Sequence, residues 1–268
     1  MEKIAERASR SGGRAEAPSG VLARYAVLLE AVAGAPAPPV LSAIAERTGL
    51  PPGTVHRLLN ALVRTGFLAR IDDRKAYRLG PRLVHLLYVG MDREQVATLA
   101  RPLLEALAER FGETAFVAKR AGEGVEAVAT ATPVGDGQAY VQPGRVMPFH
   151  AAASAKAILA FQGEAAIAAA LARPRAAFTA RTRTDPGAIA AELAEVRASG
   201  VAVCDEELDP GVLSYACPVH LDGAGVLYSV GLVGLAERLR GRHRAAVVAA
   251  LKEAAAGLAA RLPRPGRA

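Results

Sequence analysis

Between Pro52 and Arg64 the side chains able to donate or accept hydrogen bonds fall at Thr54, His56, Arg57, Asn60 and Arg64, interleaved with Val55, Leu58, Leu59 and Leu62. The apolar set repeats at i, i+3, i+4 and i+7, so it forms one stripe of a helix and leaves the polar set on the opposite side. Hydroxyl, imidazole, guanidinium and amide groups on one exposed flank suit the reading of base edges and the holding of phosphate. A second basic group follows at Arg70, Arg74, Lys75 and Arg78 and suits phosphate backbone or an adjacent minor groove.

Other groupings point to chemistry less well. Asp205, Glu206 and Glu207 could do acid–base work or hold a cation, but three adjacent acids cannot all face one site, and a solvated turn is the favoured reading. Ser154-x-Lys156 looks like a nucleophile motif, yet spacing assigns it no histidine or aspartate. Cys217 and His220 have a loose metal-ligand spacing with no second pair, so a buried thiol is preferred. The histidines at 56, 85, 150, 220 and 243 show no ligand spacing, and no glycine-rich phosphate loop occurs. The expectation is a binding protein with no catalytic residues, no metal and no cofactor.

The elements that would position the polar flank are legible around it. Leu41, Ile44 and Ala45 share a face of a preceding helix that ends at Gly49, where a left-handed residue reverses the chain. Pro51 and Pro52 restart it, proline being tolerated at a first helical position. Leu22, Tyr25, Leu28, Leu29 and Val32 on Val21 to Val32 supply a third helix, closing a small core. For the two short helices alone, a plain helical hairpin with a solvated face is the alternative. After Gly66 the period changes to alternation: Phe67, Ala69 and Ile71 against Leu68 and Arg70, a polar turn at Asp72 to Lys75, and a return strand from Ala76 to Leu79. A basic hairpin directly after such a helix is a wing, and it favours DNA over the plain hairpin.

Charge supports the same division. Residues 21–82 hold nine Lys/Arg against four Asp/Glu, a net of +5, whereas residues 83–268 hold twenty against nineteen, a net of +1. A concentrated positive field is the sequence-independent part of nucleic-acid affinity, since each phosphate neutralised releases counterions. With 51% hydrophobic residues the chain is globular, and no apolar run is long enough to span a membrane. The first residues lack the apolar core of a signal peptide, and two cysteines, Cys204 and Cys217, fit a reducing compartment, so a cytoplasmic location is expected.

The run AERTGLPPGTVHRLLNAL followed by GFLARIDDRKAYRLGPRL resembles the winged helix-turn-helix of the IclR family of bacterial transcription regulators. It departs at Pro52 and Gly53, where members usually carry a lysine or other polar residue and then serine, so contacts from the helix start are lost or pass to backbone N–H groups. Val40 also stands where a Ser or Thr cap is usual. Further on, PGRVMPFHAAASAKAILA, RTDPGAIAAELAEVRASGVAVCDEELDPGV, LSYACPV and VGLAERL are similar to the same family's effector-binding half.

The expected fold is α+β: a disordered tail at 1–20, a winged helix-turn-helix domain at 21–82, a linker helix at 83–100, a GAF-like effector-binding domain at 101–262 and a tail at 263–268. The linker pattern runs on to Phe111 with a kink or boundary at Arg101-Pro102. Its apolar Leu83, Leu86, Leu87 and Val89 ask for a partner subunit. Pro133 to Gly137 reads as a loop.

The resemblance implies a homodimer or homotetramer on double-stranded operator DNA and a regulator, with repression favoured over activation, of a catabolic operon. It places a small-molecule effector against Ala153, Ser154, Cys204, Val212, Ser214, Gly231 and Val233. Acid-binding members carry serines at the last two positions. Gly231 and Val233 offer no hydroxyl, so a roomier, more apolar pocket for an aromatic or bulky organic acid or derivative is expected. The competing class is a ligand-dependent enzyme whose N-terminal domain serves interaction only, and it lacks a nucleophile–base pair.

Overall fold

The computed structural model describes residues 20–263 apart from 72, 123, 134–140, 142, 242 and 243. The expected tails, other than Gly20 and Pro263, and nearly all of the expected loop at Pro133 to Gly137 lie outside the described residues. The chain divides into two units between Leu83 and Val84.

In the N-terminal unit α1 (Val21–Ala33), α2 (Leu41–Thr48) and α3 (Pro52–Arg64) precede the strands β1 (Leu68–Ile71) and β2 (Ala76–Leu79). Gly49 ends α2 in the left-handed region at φ 67°. Pro51 caps α3 through its carbonyl, which accepts from Thr54 N–H and Val55 N–H at 2.9 and 3.0 Å. Val55, Leu58, Leu59 and Leu62 are all buried, packed with Leu28, Ile44, Leu50, Leu68 and Tyr77. Leu22 departs from the expected inner face of α1 and is 82% exposed. It lies in the first turn of α1, whose buried residues, Leu28, Ala31 and Val32, all fall in its second half. Val40 makes no side-chain cap but bridges to Ala76, and Pro39 C=O accepts from Tyr77 N–H at 2.9 Å, so the segment before α2 is tied to the wing as an extra strand position.

Helix α4 (Pro81–Val89) begins just past β2, and α5 (Arg93–Phe111) follows. Of the kink or boundary expected at Arg101-Pro102, the boundary does not occur: α5 runs through Pro102, and the chain breaks at Gly90 to Asp92, where the Asp92 carboxylate accepts from Glu94 N–H. Val96 and Ala100 before the proline and Leu104 and Leu107 after it are buried, and this packing outweighs the lost helical hydrogen bond.

The rest of the C-terminal unit is built on six antiparallel strands. They are β3 (Thr114–Ala121), β4 (Gly124–Ala131), β5 (Val146–Met147), β6 (Ala202–Asp205), β7 (Val212–Leu221) and β8 (Gly225–Leu235), in the order β5-β4-β3-β8-β7-β6. The helices are α6 (Ala153–Leu159), α7 (Glu164–Leu171), α8 (Pro186–Ser199), α9 (Ala236–Arg240) and α10 (Arg244–Arg261). Asp185 caps α8 by accepting from Ala188 N–H at 2.7 Å, and Gly200 ends it at φ 73°. Strands β7 and β8 are buried over most of their length, with α6 and α10 packed against both of them, while α5 packs on β3, β4 and α10, and α8 packs on α6. The five-residue α9 and the two-residue β5 carry too few residues for periodicity to reveal them, and α7, nearly all apolar, has no polar–apolar contrast from which a period could be read. The protein is therefore α+β, a winged helix-turn-helix followed by a sheet-and-helix domain.

Candidate nucleic-acid interface and ligand cavity

On α3 the buried stripe fixes the rotation of the helix and leaves His56, Arg57 and Arg64 exposed, with Thr54 and Asn60 half-buried beside them. Thr54, Arg57 and Arg64 follow one line along the helix, and His56 and Asn60 a second. The second pair is joined by a 3.3 Å contact between Asn60 Nδ2 and His56 Nε2. Arg64 stands in the last turn, where a cation also suits the helix dipole. Pro52 and Gly53 are exposed at the other end, and nothing lies within 4 Å of a side chain added at Gly53.

The wing register pairs Arg70 with Tyr77 and Ala69 with Arg78. Arg70 and Arg78 therefore leave the ribbon on opposite faces, a division that the sequence grouping did not resolve. Arg74 and Lys75 sit at the tip, with Lys75 in the left-handed region at φ 48°. Arg74 is 3.8 Å from Asp73, both side chains strongly exposed, an arrangement that solvent screens and that leaves the guanidinium available to phosphate.

In the C-terminal unit strand register assembles the second site. Cys204 on β6 is opposite Ser214 on β7, and Ser214 is opposite Val233 on β8, so the three make one row on one face of the sheet. Ala153 and Ser154 at the start of α6 lie over that row, and Val212 borders it. These six, with Phe116, Arg145, Met147, Leu208 and Asp209, line a cavity of about 50 Å³. Gly231 does not line it. A side chain there would meet the Phe116 ring at 2.2 Å and Tyr215 C=O at 2.6 Å, so the ring fills the space and forms the wall in its place. Val233 brings no hydroxyl to the lining, which also holds the polar side chains of Arg145, Asp209, Ser154 and Ser214, and the described residues enclose a small volume rather than a roomy one. Arg145, the cation in this lining, stands within the PGRVMPF run, yet nothing in its spacing marks it out.

The carboxylate triplet beside this cavity has two distinct environments. Asp205 and Glu206 face outward to Arg240 and Arg181; Glu206 Oε1 is 2.6 Å from Arg240 and 3.4 Å from Arg181. The Arg240 hydrogen bond, helped by Gly211 N–H, holds the Glu206 carboxyl below the usual range. Glu207 is not part of a solvated turn. It is buried, and its Oε1 accepts from Lys156 Nζ at 2.7 Å. Lys156, fully buried, also reaches Glu192 at 2.7 Å, and Arg183 holds the other Glu192 oxygen at 2.8 Å. Burial pushes the Glu207 carboxyl up while the Lys156 ammonium pulls it down, and burial is the larger effect. Lys156 is thus engaged by two carboxylates, which removes the basis for reading Ser154-x-Lys156 as a nucleophile and its base. Burial likewise pushes the Cys204 thiol up to about 11, so it is a neutral wall group. Cys217 is a buried thiol also pushed up to about 11. Among the described residues no group of three or more His, Cys, Asp or Glu is placed to hold a metal, and no helix is long and apolar enough to cross a membrane.

Two further side chains connect cavity-bearing strands to the end of α4 and the turn after it. Tyr228 on β8 donates its buried hydroxyl to Tyr88 C=O at 2.9 Å, and Lys119 on β3 donates to Val89 C=O and Met91 C=O at 2.9 and 2.7 Å. The last carbonyls of α4 are therefore held from the strands that carry Phe116 and Val233.

Comparison with known proteins agrees on one family for both units. A family model described as the IclR helix-turn-helix domain matches residues 21–72, and one described as the bacterial transcriptional regulator IclR C-terminal matches residues 89–260. The glycerol operon regulatory protein of Streptomyces coelicolor is 32% identical over 236 residues, covering 87% of this chain and 92% of the relative. A crystal structure of an IclR transcriptional regulator from Silicibacter sp. superposes with a TM-score of 0.61 at 28% identity, covering 90% of this chain and 96% of that one. An IclR homologue from Microbacterium hydrocarbonoxydans, crystallised with 4-hydroxybenzoate, superposes with a TM-score of 0.59 at 25% identity, covering 90% and 98%.

Proposed function

Because this chain belongs to the IclR family of bacterial transcriptional regulators, we propose that it represses a catabolic operon and releases its operator when an organic acid occupies the cavity beside Ser154. The observation that carries the reading is the convergence of Ala153, Ser154, Cys204, Val212, Ser214 and Val233, from four separate elements, on one cavity. The Arg145 guanidinium and the first N–H groups of α6 suit a carboxylate, and Phe116, Met147 and Val233 suit an apolar body. The effector is read as an aromatic acid. The enclosed volume is smaller than a ring needs, so the reading requires Met147 and Leu208 to swing aside on binding. The 4-hydroxybenzoate bound by the Microbacterium relative supports this class.

Base reading is assigned to Thr54, His56, Arg57 and Asn60, and phosphate anchoring to Arg64 and to the wing at Arg70, Arg74, Lys75 and Arg78. Arg70 and Arg78, on opposite faces, anchor separate parts of the backbone. A cytoplasmic homodimer or homotetramer is part of the same proposal. Leu86, Leu87 and Val89, about half-exposed on α4, support a partner subunit there.

The effector acts only by binding two conformations with different affinity. Strands β3 and β8 border the cavity and hold the end of α4, whose other end follows directly from the wing strand. A shift of those strands on binding therefore reaches the DNA-binding domain through α4. Calorimetric titration of the full protein with glyoxylate, pyruvate and benzoate tests the effector class. Binding of benzoate is expected, and binding of the two small acids alone overturns the aromatic reading.

A further inference from the structure

Helix α6 has a second cavity along its length. Ala153 and Ser154 face the cavity described above, whereas Ala155, Ile158 and Leu159 line a separate cleft of about 280 Å³ between α6 and α7. Its walls are apolar, completed by Phe149 and by Ala166, Ala169 and Ala170. Those alanines lie at i, i+3 and i+4, one face of α7. The polar groups at its rim are Arg120, Gln162 and Arg173, and no carboxylate is among the described residues that line it.

The rim is organised. Gln162 donates from Nε2 to Ile158 C=O and Val226 C=O at 2.9 and 2.8 Å, which fixes its amide. Its Oε1 accepts from Arg120 Nη1 at 2.6 Å and so aims the guanidinium along the cleft edge. The Arg173 guanidinium lies 5.6 Å from the centre of the Phe149 ring. Helix α7 supplies an independent observation: it is nearly all apolar, yet none of its residues is buried. A helix of that composition gains stability from something seated against its alanine face.

We propose that this cleft is a second ligand site, for an organic anion with an apolar body such as an aromatic carboxylate, its carboxylate on Arg120 and its ring between α6 and the alanine face of α7. A guanidinium fork matches a planar carboxylate, and a mostly apolar cleft with a few fixed polar groups is how small-molecule sites are built. Inorganic phosphate would satisfy the charge and leave the alanine face empty. Because both cavities share α6, occupancy of one alters affinity for the other. That coupling, though not the binding itself, rests on the proposed role of the Ser154 cavity.

The test is calorimetric titration of the full chain with benzoate, with inorganic phosphate as control, on wild type, R120M, A170L and S154V, each checked for a wild-type melt by circular dichroism. Two benzoate sites per chain are expected. R120M weakens one by about ten- to hundredfold, A170L weakens the same one by filling the cleft without touching charge, and S154V affects the other. A single site lost in R120M and A170L upholds the cleft and overturns the aromatic reading of the Ser154 cavity. A single site sensitive only to S154V, or no benzoate binding, overturns the cleft. So does phosphate binding equal to benzoate and indifferent to A170L. If A170L changes the oligomeric mass in light scattering while both benzoate sites survive, the alanine face is a subunit contact and the proposal fails.

Discussion

Replacing Lys156 by methionine keeps most of the buried aliphatic stem and removes the ammonium that holds Glu192 and Glu207. Glu192 retains Arg183 at 2.8 Å, so the group left without a cation is Glu207, whose second oxygen already has no hydrogen-bond partner. Removing one partner of a buried ion pair costs about 3–5 kcal/mol. For a domain of this size that lowers the melting temperature by roughly 6–20 °C.

The sign of the pH dependence follows from Glu207. Burial raises its folded carboxyl above the ordinary value, and without Lys156 it rises further. An acid with a raised folded pKa burdens the folded state at high pH, and the burden is relieved as pH falls through that value. The stability deficit of K156M relative to wild type is therefore expected to be larger at about pH 7.5 than at about pH 5. The double variant K156M/E207Q should recover most of the deficit, since no uncompensated charge then remains on that side chain. Thermal melts followed by circular dichroism at both pH values read this directly. A deficit below about 1 kcal/mol, or one that grows on acidification, refutes the description of the cluster.

Replacing Arg74 and Lys75 together by alanine should reduce the slope of log affinity for DNA against log salt by about 2 while leaving ligand binding intact, and parallel salt plots would remove the wing tip from the interface. Tyr228→Phe removes the hydroxyl held by Tyr88 C=O at a cost of about 1–3 kcal/mol. It should leave benzoate binding in place while narrowing the difference in operator affinity with and without benzoate; an undiminished difference argues against transmission through α4. With the Cys204 thiol at about 11, roughly a thousandth is thiolate at about pH 8, so iodoacetamide should modify it only after unfolding. Rapid alkylation of the folded protein contradicts its placement as a buried wall.

Elements of the helix-turn-helix were readable because long-range packing and local pattern agree there. The stripe Val55, Leu58, Leu59, Leu62 and the left-handed Gly49 are each decided within a few residues. At Pro102 the local signal pointed to a kink or a boundary, but buried neighbours on both sides hold α5 together as one helix, and the boundary lies at the glycine and cap at 90–92. Six cavity residues could be placed by likeness to a family, but what fills the room between them could not. Gly231 looked like added space in the sequence, and only the cross-strand register with Phe116 reveals that a ring occupies it. The acidic triplet failed for a related reason. The strand ends at Asp205 and Glu206 takes a left-handed φ of 58°, so Glu207 turns inward while Asp205 and Glu206 face out, and its cation comes from a helix about fifty residues away in the chain. Arg145, Arg120 and the bare alanine face of α7 likewise acquire meaning only from what folding brings beside them.

The central claim is that ligand in the C-terminal domain sets the DNA affinity of the face carrying Arg57. Fluorescence anisotropy of a labelled duplex from upstream of its own gene measures this in one titration series, with wild type and Arg57→Ala, each with and without saturating benzoate. The account predicts tight binding by wild type, a loss of about 5- to 150-fold when benzoate is added, and no sequence-specific binding by Arg57→Ala although benzoate still binds it. Unchanged wild-type affinity with benzoate bound, or operator binding by Arg57→Ala equal to that of wild type, contradicts it.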